Sequence, residues 1–138
     1  MDTPMTAHPL DTWHRLVRTQ DAAGLPALLA DDAVFHSPVV HAPQRGRALA
    51  AGYLAAAFRV FFNPGFRYVR EIVGESDAML EFETVIDGIT VNGVVILRWN
   101  AAGEIVDFKV MLRPLKAINL IQQKMAAMLA SGAAPRGG

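Results

Sequence analysis

The hydrophobic pattern changes period once, and that change restricts the fold more than any other feature. Before Asn63-Pro64-Gly65 the apolar residues recur at helical spacing; after it they alternate. Leu10, Trp13, Leu16 and Val17 share a face of a first helix. Leu25, Leu28 and Leu29 form the buried side of a short second one, with Asp21 as its cap and Pro26 near its start, where a missing N–H costs least. Asp31-Asp32 ends that helix and reads as capping and turn chemistry rather than a working carboxylate pair. Ala33 to Ser37 is a short strand stopped by Pro38, and Val39 to Arg45 a loop. Gly46 precedes a long helix, Arg47 to Phe62. Its apolar face is broad, with Leu49, Tyr53, Ala56 and Val60 flanked by Leu54, Phe58 and Phe61, as suits a helix lying on a sheet.

Beyond the break the pattern predicts strands over Phe66–Val73, Ala78–Ile86, Ile89–Asn100 and Glu104–Leu112. Asp87-Gly88 is a hairpin turn signal, and Asn92-Gly93 inside the longest strand predicts a bulge. Pro114 opens a last helix with a stripe of Leu115, Ile118, Ile121, Met125 and Met128. The order is α-α-β-α-β-β-β-β-α, an α+β arrangement. A strongly curved, mostly antiparallel sheet would wrap as a half-cone on the N-terminal helices, with the C-terminal helix alongside. One domain over 10–130 is expected, with disordered ends at 1–9 and 131–138, because a chain of 138 residues buries enough surface for a single core.

Composition narrows the function. Thirteen basic residues balance thirteen acidic ones, which excludes the basic footprint of a nucleic-acid binder. No apolar run reaches a bilayer span and no basic start precedes an apolar stretch, so neither a membrane segment nor a signal peptide is read and a cytoplasmic location is expected. With no cysteine, disulfides, thiolate chemistry and cysteine-held zinc are excluded. His36 and His41 are five apart in a loop context, the wrong spacing for a helical metal pair, so no metal site and no cofactor are expected.

Several segments together resemble the nuclear transport factor 2-like superfamily, and within it the SnoaL-like (polyketide-cyclase-like, ketosteroid-isomerase-like) proteins. They are Leu28-Leu29-Ala30-Asp31-Asp32-Ala33 leading to Ser37-Pro38, then Arg45-Gly46 before the long helix, Leu97-Arg98-Trp99-Asn100 with Gly103-Glu104-Ile105, and Arg113-Pro114-Leu115. The resemblance covers roughly Leu10 to Leu129. It implies a fold that hosts cyclases, isomerases, hydrolases and non-catalytic binders alike. Steroid isomerases of this fold use a tyrosine on the first helix, an acid ending the first strand and a second acid on a later strand. The matching places here hold Trp13, Ser37 and Val95. Cyclases of the family set an acid among the inward residues of the sheet. The inward set inferred here, from Phe35 and Ser37 through Leu80, Phe82, Thr84, Ile86, Val95, Leu97, Trp99, Phe108, Val110 and Leu112, contains none.

The expectation is therefore a mainly apolar cavity for a small hydrophobic organic ligand, lined by Trp13, Ser37, Tyr53, Phe58, Phe82, Val95 and Phe108. His36 and Arg113 are secondary candidates. Alternation turns His36 away from the pocket, as a partly buried histidine satisfied by backbone, with a general acid or base at the pocket mouth as the alternative; Arg113 either holds a ligand carboxylate or caps a sheet edge. The alternative is an enzyme of cyclase, isomerase or hydrolase type acting on a polyketide- or terpenoid-like substrate. The convex sheet face carries Glu81, Glu83, Arg98, Asp107 and Lys109 with Val85, Ile96 and Met111, and the resemblance implies that two copies pair through it as a homodimer.

Overall fold

The computed structural model describes residues 8–130. Helix α1 (Pro9–Thr19) starts on a proline whose absent N–H is no loss, and the ring of His8 accepts from the Leu10 N–H. A single 3₁₀ turn (Ala22–Gly24) and the one-turn helix α2 (Leu25–Leu28) lead directly into β1 (Leu29–His36). Then come β2 (Gln44–Arg45), α3 (Arg47–Phe61), β3 (Arg67–Val73), β4 (Asp77–Ile86), β5 (Ile89–Trp99), β6 (Ile105–Arg113) and α4 (Leu115–Ala130). The six strands form one sheet in the order β2-β1-β6-β5-β4-β3, antiparallel throughout except where β1 runs parallel to β6. This is the α+β arrangement expected. Of the expected disordered ends, 1–7 and 131–138 lie outside the described residues, while His8 and Pro9 belong to the start of α1.

One face of the sheet is covered. Leu80, Phe82, Thr84 and Ile86 on β4, Val91, Val95, Leu97 and Trp99 on β5, and Phe108 and Val110 on β6 are all buried. They pack with Trp13 and Leu16 of α1, Leu54, Phe58 and Phe61 of α3, and Ile121 of α4. Ala50, Ala56 and Ala57 keep α3 thin, so the helix lies close to the sheet. At about 1.5–3 kcal/mol for each large apolar side chain, this core supplies most of the stabilisation. The hairpin turn follows its signal: Asp87 and Gly88 both take positive φ, at 52° and 79°, as a tight turn between twisted strands demands.

Three local expectations are corrected. Leu29 to Asp32 belong to β1, not to a helix end. Asp31 lies exposed beside the Arg47 guanidinium at 2.9 Å, while Arg47 Nε also donates to the Leu29 carbonyl. The loop after Pro38 contains the two-residue strand β2, too short to show a period. Asn92-Gly93 is not a bulge, since β4 and β5 pair without interruption from Asp77↔Arg98 to Ile86↔Ile89. Gly93 stands opposite Phe82, and a Cβ there would sit 2.6 Å from the Phe82 Cζ and 2.7 Å from the Leu112 Cδ2; the glycine makes room for the ring. The irregularities fall elsewhere: between Leu29 and Val34 of β1 against β6, between Arg98 and Trp99 against β6, and around Val69 on β3.

Candidate functional site

Trp13, at the centre of α1, meets Phe58 and Phe62 from α3 and its C-terminal end and Phe108 from β6, all edge to face at centroid distances of 5.6, 6.3 and 4.9 Å. Phe66 and Phe82 stack at 5.2 Å on the far side. Together with Tyr68, Val95 and several aliphatic neighbours they enclose an apolar hollow of about 30 Å³. That is room for one or two waters, far below the ~300–1,000 Å³ of ligand pockets. As it stands, the hollow is a gap in an aromatic cluster.

Its polar equipment is a single pair. Trp13 Nε1–H donates to the Tyr68 hydroxyl at 2.9 Å. Burial pushes the Tyr68 phenol well above its ordinary value, against the opposing effect of the Trp13 hydrogen bond, and the negative charge of Glu71 pushes the same way. Tyr68 is therefore a neutral phenol at any physiological pH. Its oxygen is occupied by Trp13, and among the described residues no group accepts its own proton.

Just outside this pair, His14 Nε2 lies 3.1 Å from Glu71 Oε1, and the His14 ring stands edge-on to Tyr68 at 4.9 Å. Glu71, which lies outside the inward set inferred from sequence, sits by register on the covered side of β3 with its side chain exposed at the rim. The extra residue around Val69 shifts the alternation of β3, so that Tyr68 pairs with Phe82 and Glu71 with Leu80, both on the covered face. A strict period of two from Tyr68 would have turned Glu71 outward.

Trp13, Phe58, Phe82, Val95 and Phe108 come together around the hollow. Tyr53 does not join them: it stacks on Phe35 at 5.9 Å, one turn of α3 away. Ser37 lies beyond the end of β1, and its Oγ accepts the Val39 N–H in a tight local turn, a geometry that Pro38 favours over strand. His36 faces away from the hollow as expected, but its partner is a carboxylate, not backbone: Nε2 lies 2.9 Å from Asp107 Oδ1. Arg113 is exposed at the end of β6, with Nη1 3.5 Å from the Asn92 side chain. His36, Ser37 and His41 instead border a separate open groove with Lys109, Met111 and Ile118. Among the described residues no cluster of three or more metal-ligating side chains occurs. Tyr68, Phe62, Phe66, His14 and Glu71 are the site residues that sequence reasoning missed. The Phe66-Arg67-Tyr68 alternation was the available signal for Tyr68; nothing in the sequence marks the bulge that brings Glu71 inward.

A covered mixed sheet with an aromatic-lined interior places the chain in a recognisable class, and the comparisons define it. The chain belongs to the SnoaL-like domain family, whose model matches residues 10–108. Its fold is that of nuclear transport factor 2-like and ketosteroid isomerase-like proteins. It is similar to a steroid delta-isomerase from Pseudomonas aeruginosa, with 33% identity and a TM-score of 0.85 over 94% of this chain and 97% of that one. It is also similar to an uncharacterised protein with a cystatin-like fold from Silicibacter pomeroyi, with 30% identity and a TM-score of 0.83 over 91% and 87%. A protein of unknown function from Mesorhizobium loti shares the fold at 23% identity and a TM-score of 0.66, over 77% and 88%. No curated protein sequence matches the chain. Among the described residues no helix is long and apolar enough to cross a membrane.

Proposed function

We propose that this protein is a cytoplasmic binding module for a small hydrophobic molecule that carries a hydrogen-bond acceptor, such as a ketone or ether oxygen. The observation that carries the reading is the lining of the hollow: its open surface is wholly aromatic and aliphatic, and the Trp13–Tyr68 hydrogen bond is held within its wall. A neutral phenol with its proton free offers a donor to an oxygen and nothing to a cation. Because the hollow is small, binding requires its walls to part, and Phe62 and Phe66 on the α3–β3 connection are only half-buried. In the Trp99→Phe variant, Trp13 is the sole tryptophan. Its fluorescence should then change saturably with apolar ketones and less with hydrocarbons of equal size. No saturable change with either class sinks the reading.

A second reading, an isomerase-type enzyme, is favoured by the similarity to a steroid delta-isomerase and by Glu71, a carboxylate on the covered face. Against it stand Ser37 and Val95 where the family resemblance puts acids, and a hollow without any charged lining. Proton transfer between carbons needs a base and oxyanion donors together. A Δ5-3-ketosteroid assay should show no enzymatic turnover. Turnover that collapses in Ser37→Ala or Glu71→Gln would put the enzyme first.

We further propose a homodimer through the open sheet face. Met79, Val85 and Met111 there are 39%, 51% and 48% exposed, with Ile96 and Val94 between them. The Arg70–Glu81 and Arg67–Glu83 pairs edge this apolar patch. Light scattering at micromolar concentration should give twice the chain mass, and Met79→Glu should return it to the monomer value. A monomeric native protein rules the assembly out.

A further inference from the structure

The hollow is bounded by unlike walls. The sheet is held by backbone ladders, that of β4 and β5 uninterrupted, and α3 is fixed by the buried side chains of Ala50, Leu54 and Ala57 against the core. Between α1 and β3 no backbone ladder runs among the described residues, although Leu10, Trp13 and Leu16 anchor α1 in the core. β3 is an edge strand, paired on one side only among the described residues. Across to α1 it is joined by side-chain contacts: Trp13 to Tyr68, His14 to Glu71, and the His14 ring against Tyr68. Of these, the His14–Glu71 pair is substantially solvent-exposed, with side chains 26% and 39% accessible. A solvent-exposed His14–Glu71 contact and one hydrogen bond between neutral groups are weak fastenings beside the backbone ladders of the sheet.

We propose that the seam between α1 and β3 is the entrance to the hollow, and that His14 and Glu71 are the fastener that keeps it closed. The inference rests on the hollow being the binding site. Parting the seam exposes Trp13 Nε1 and the Tyr68 hydroxyl together, so an incoming acceptor oxygen meets both donors at the threshold. His14 follows Trp13 on α1, and Glu71 lies three residues after Tyr68 on β3, so each half of the fastener is carried by the element that carries half of the donor pair.

The test exploits the absence of cysteine from the native chain. The double variant His14→Cys with Glu71→Cys provides two thiols that a short bismaleimide can bridge across the seam. The probe is the fluorescent apolar ketone prodan, followed by stopped flow. Before bridging, association should be at least as fast as in the native protein; after bridging it should fall by two orders of magnitude or more. Glu71→Gln, which keeps the shape of the side chain but removes its charge, should accelerate association several-fold and leave the far-ultraviolet circular dichroism unchanged. Equal association before and after bridging, with saturable binding in both, overturns the entrance while the hollow stands. Binding that persists unchanged when the hollow is filled by Val95→Trp shows that the probe sits elsewhere. That result, or no binding to any form, overturns the hollow and the entrance together.

Discussion

The β4–β5 hairpin and the edge strand β3 are adjacent in the sheet and obey different rules. β4 and β5 pair residue for residue over ten positions, and the covered side of each is buried at every second residue. β3 has one neighbour, breaks its register around Val69, and is exposed along nearly its whole length. A strand held on both sides disturbs two ladders when it inserts a residue, and in this sheet such irregularities fall near strand ends, while the β4–β5 pairing stays strict. An edge strand has one ladder to disrupt and accommodates a bulge at little cost. The regular hairpin builds the core; the irregular edge supplies Tyr68 and Glu71, the polar groups of the candidate site.

The largest expected difference between the two regions is in stability. Leu80 is completely buried at the centre of β4, and its cross-strand neighbour on β3 is Glu71. Leu80→Ala should cost about 2–5 kcal/mol, the loss of transfer free energy plus a cavity. Ile72, 58% exposed on β3, should lose less than about 0.5 kcal/mol on the same substitution. Urea denaturation of both variants decides the point; equal losses would mean that β3 is as firmly held as the centre. Gly93→Ala tests the same rigidity from the other direction. The new methyl carbon would start 2.6 Å from the Phe82 ring, and both neighbouring strands are fixed by their ladders. Overpacking there should cost about 1–3 kcal/mol. A neutral outcome would show that the Phe82 ring moves aside freely, and with it one wall of the hollow.

This contrast also explains what could be read from sequence. The strand limits, the Asp87-Gly88 turn and the inward residues of β4, β5 and the part of β6 from Phe108 on followed from alternation, because the pairing of these stretches is unbroken. Trp13, Phe58, Phe82, Val95 and Phe108 came together for the same reason. Ser37 failed because the strand stops one residue earlier, at His36, and its hydroxyl finds the Val39 N–H. Tyr53 failed because an apolar stripe on α3 does not say which strand it faces, and Phe35 takes it. Glu71 was hidden because a bulge leaves no residue-type signature in Tyr68-Val69-Arg70. That the hollow is nearly filled follows from side-chain volumes in three dimensions, which periodicity does not encode.

Tyr68→Phe probes the edge itself. Removing the hydroxyl leaves the Trp13 N–H, on a side chain only 2% exposed, without its partner. The cost should be roughly 1–2 kcal/mol, since a half-buried seam lets water replace part of the bond. The alkaline limb should change too. A phenol whose folded value is raised above its ordinary 10.0 holds its proton in the folded state where the unfolded chain has lost it. The folded state then binds more protons, so stability contributed below pH 10.0 is lost as pH rises past that value. Tyr68→Phe should flatten this decline in denaturation midpoints measured above neutrality. An unchanged alkaline slope would place the Tyr68 hydroxyl in water rather than in the aromatic cluster.

The smallest effect expected is at Glu81, where the regular hairpin meets the edge strand. Its carboxylate accepts from Asn92 Nδ2 on β5 at 3.1 Å and from the Arg70 guanidinium on β3 at 3.1 Å. The Asn92 bond, and then the Arg70 bond, hold its carboxyl below the ordinary 4.5, with burial opposing them. The sign follows from proton counting. Below its ordinary value the unfolded carboxylate takes up a proton that the folded one still refuses. The contribution is therefore present above 4.5 and lost as pH falls through the lower folded value. A carbon-detected NMR titration should find the Glu81 midpoint below 4.5. Asn92→Ala should raise that midpoint more than Arg70→Ala does, because the two-sided strand β5 holds its side chain in place while the edge strand lets Arg70 move. The reverse order would show that β3 is the better anchored of the two, and would remove the reason for treating its seam with α1 as the wall that opens.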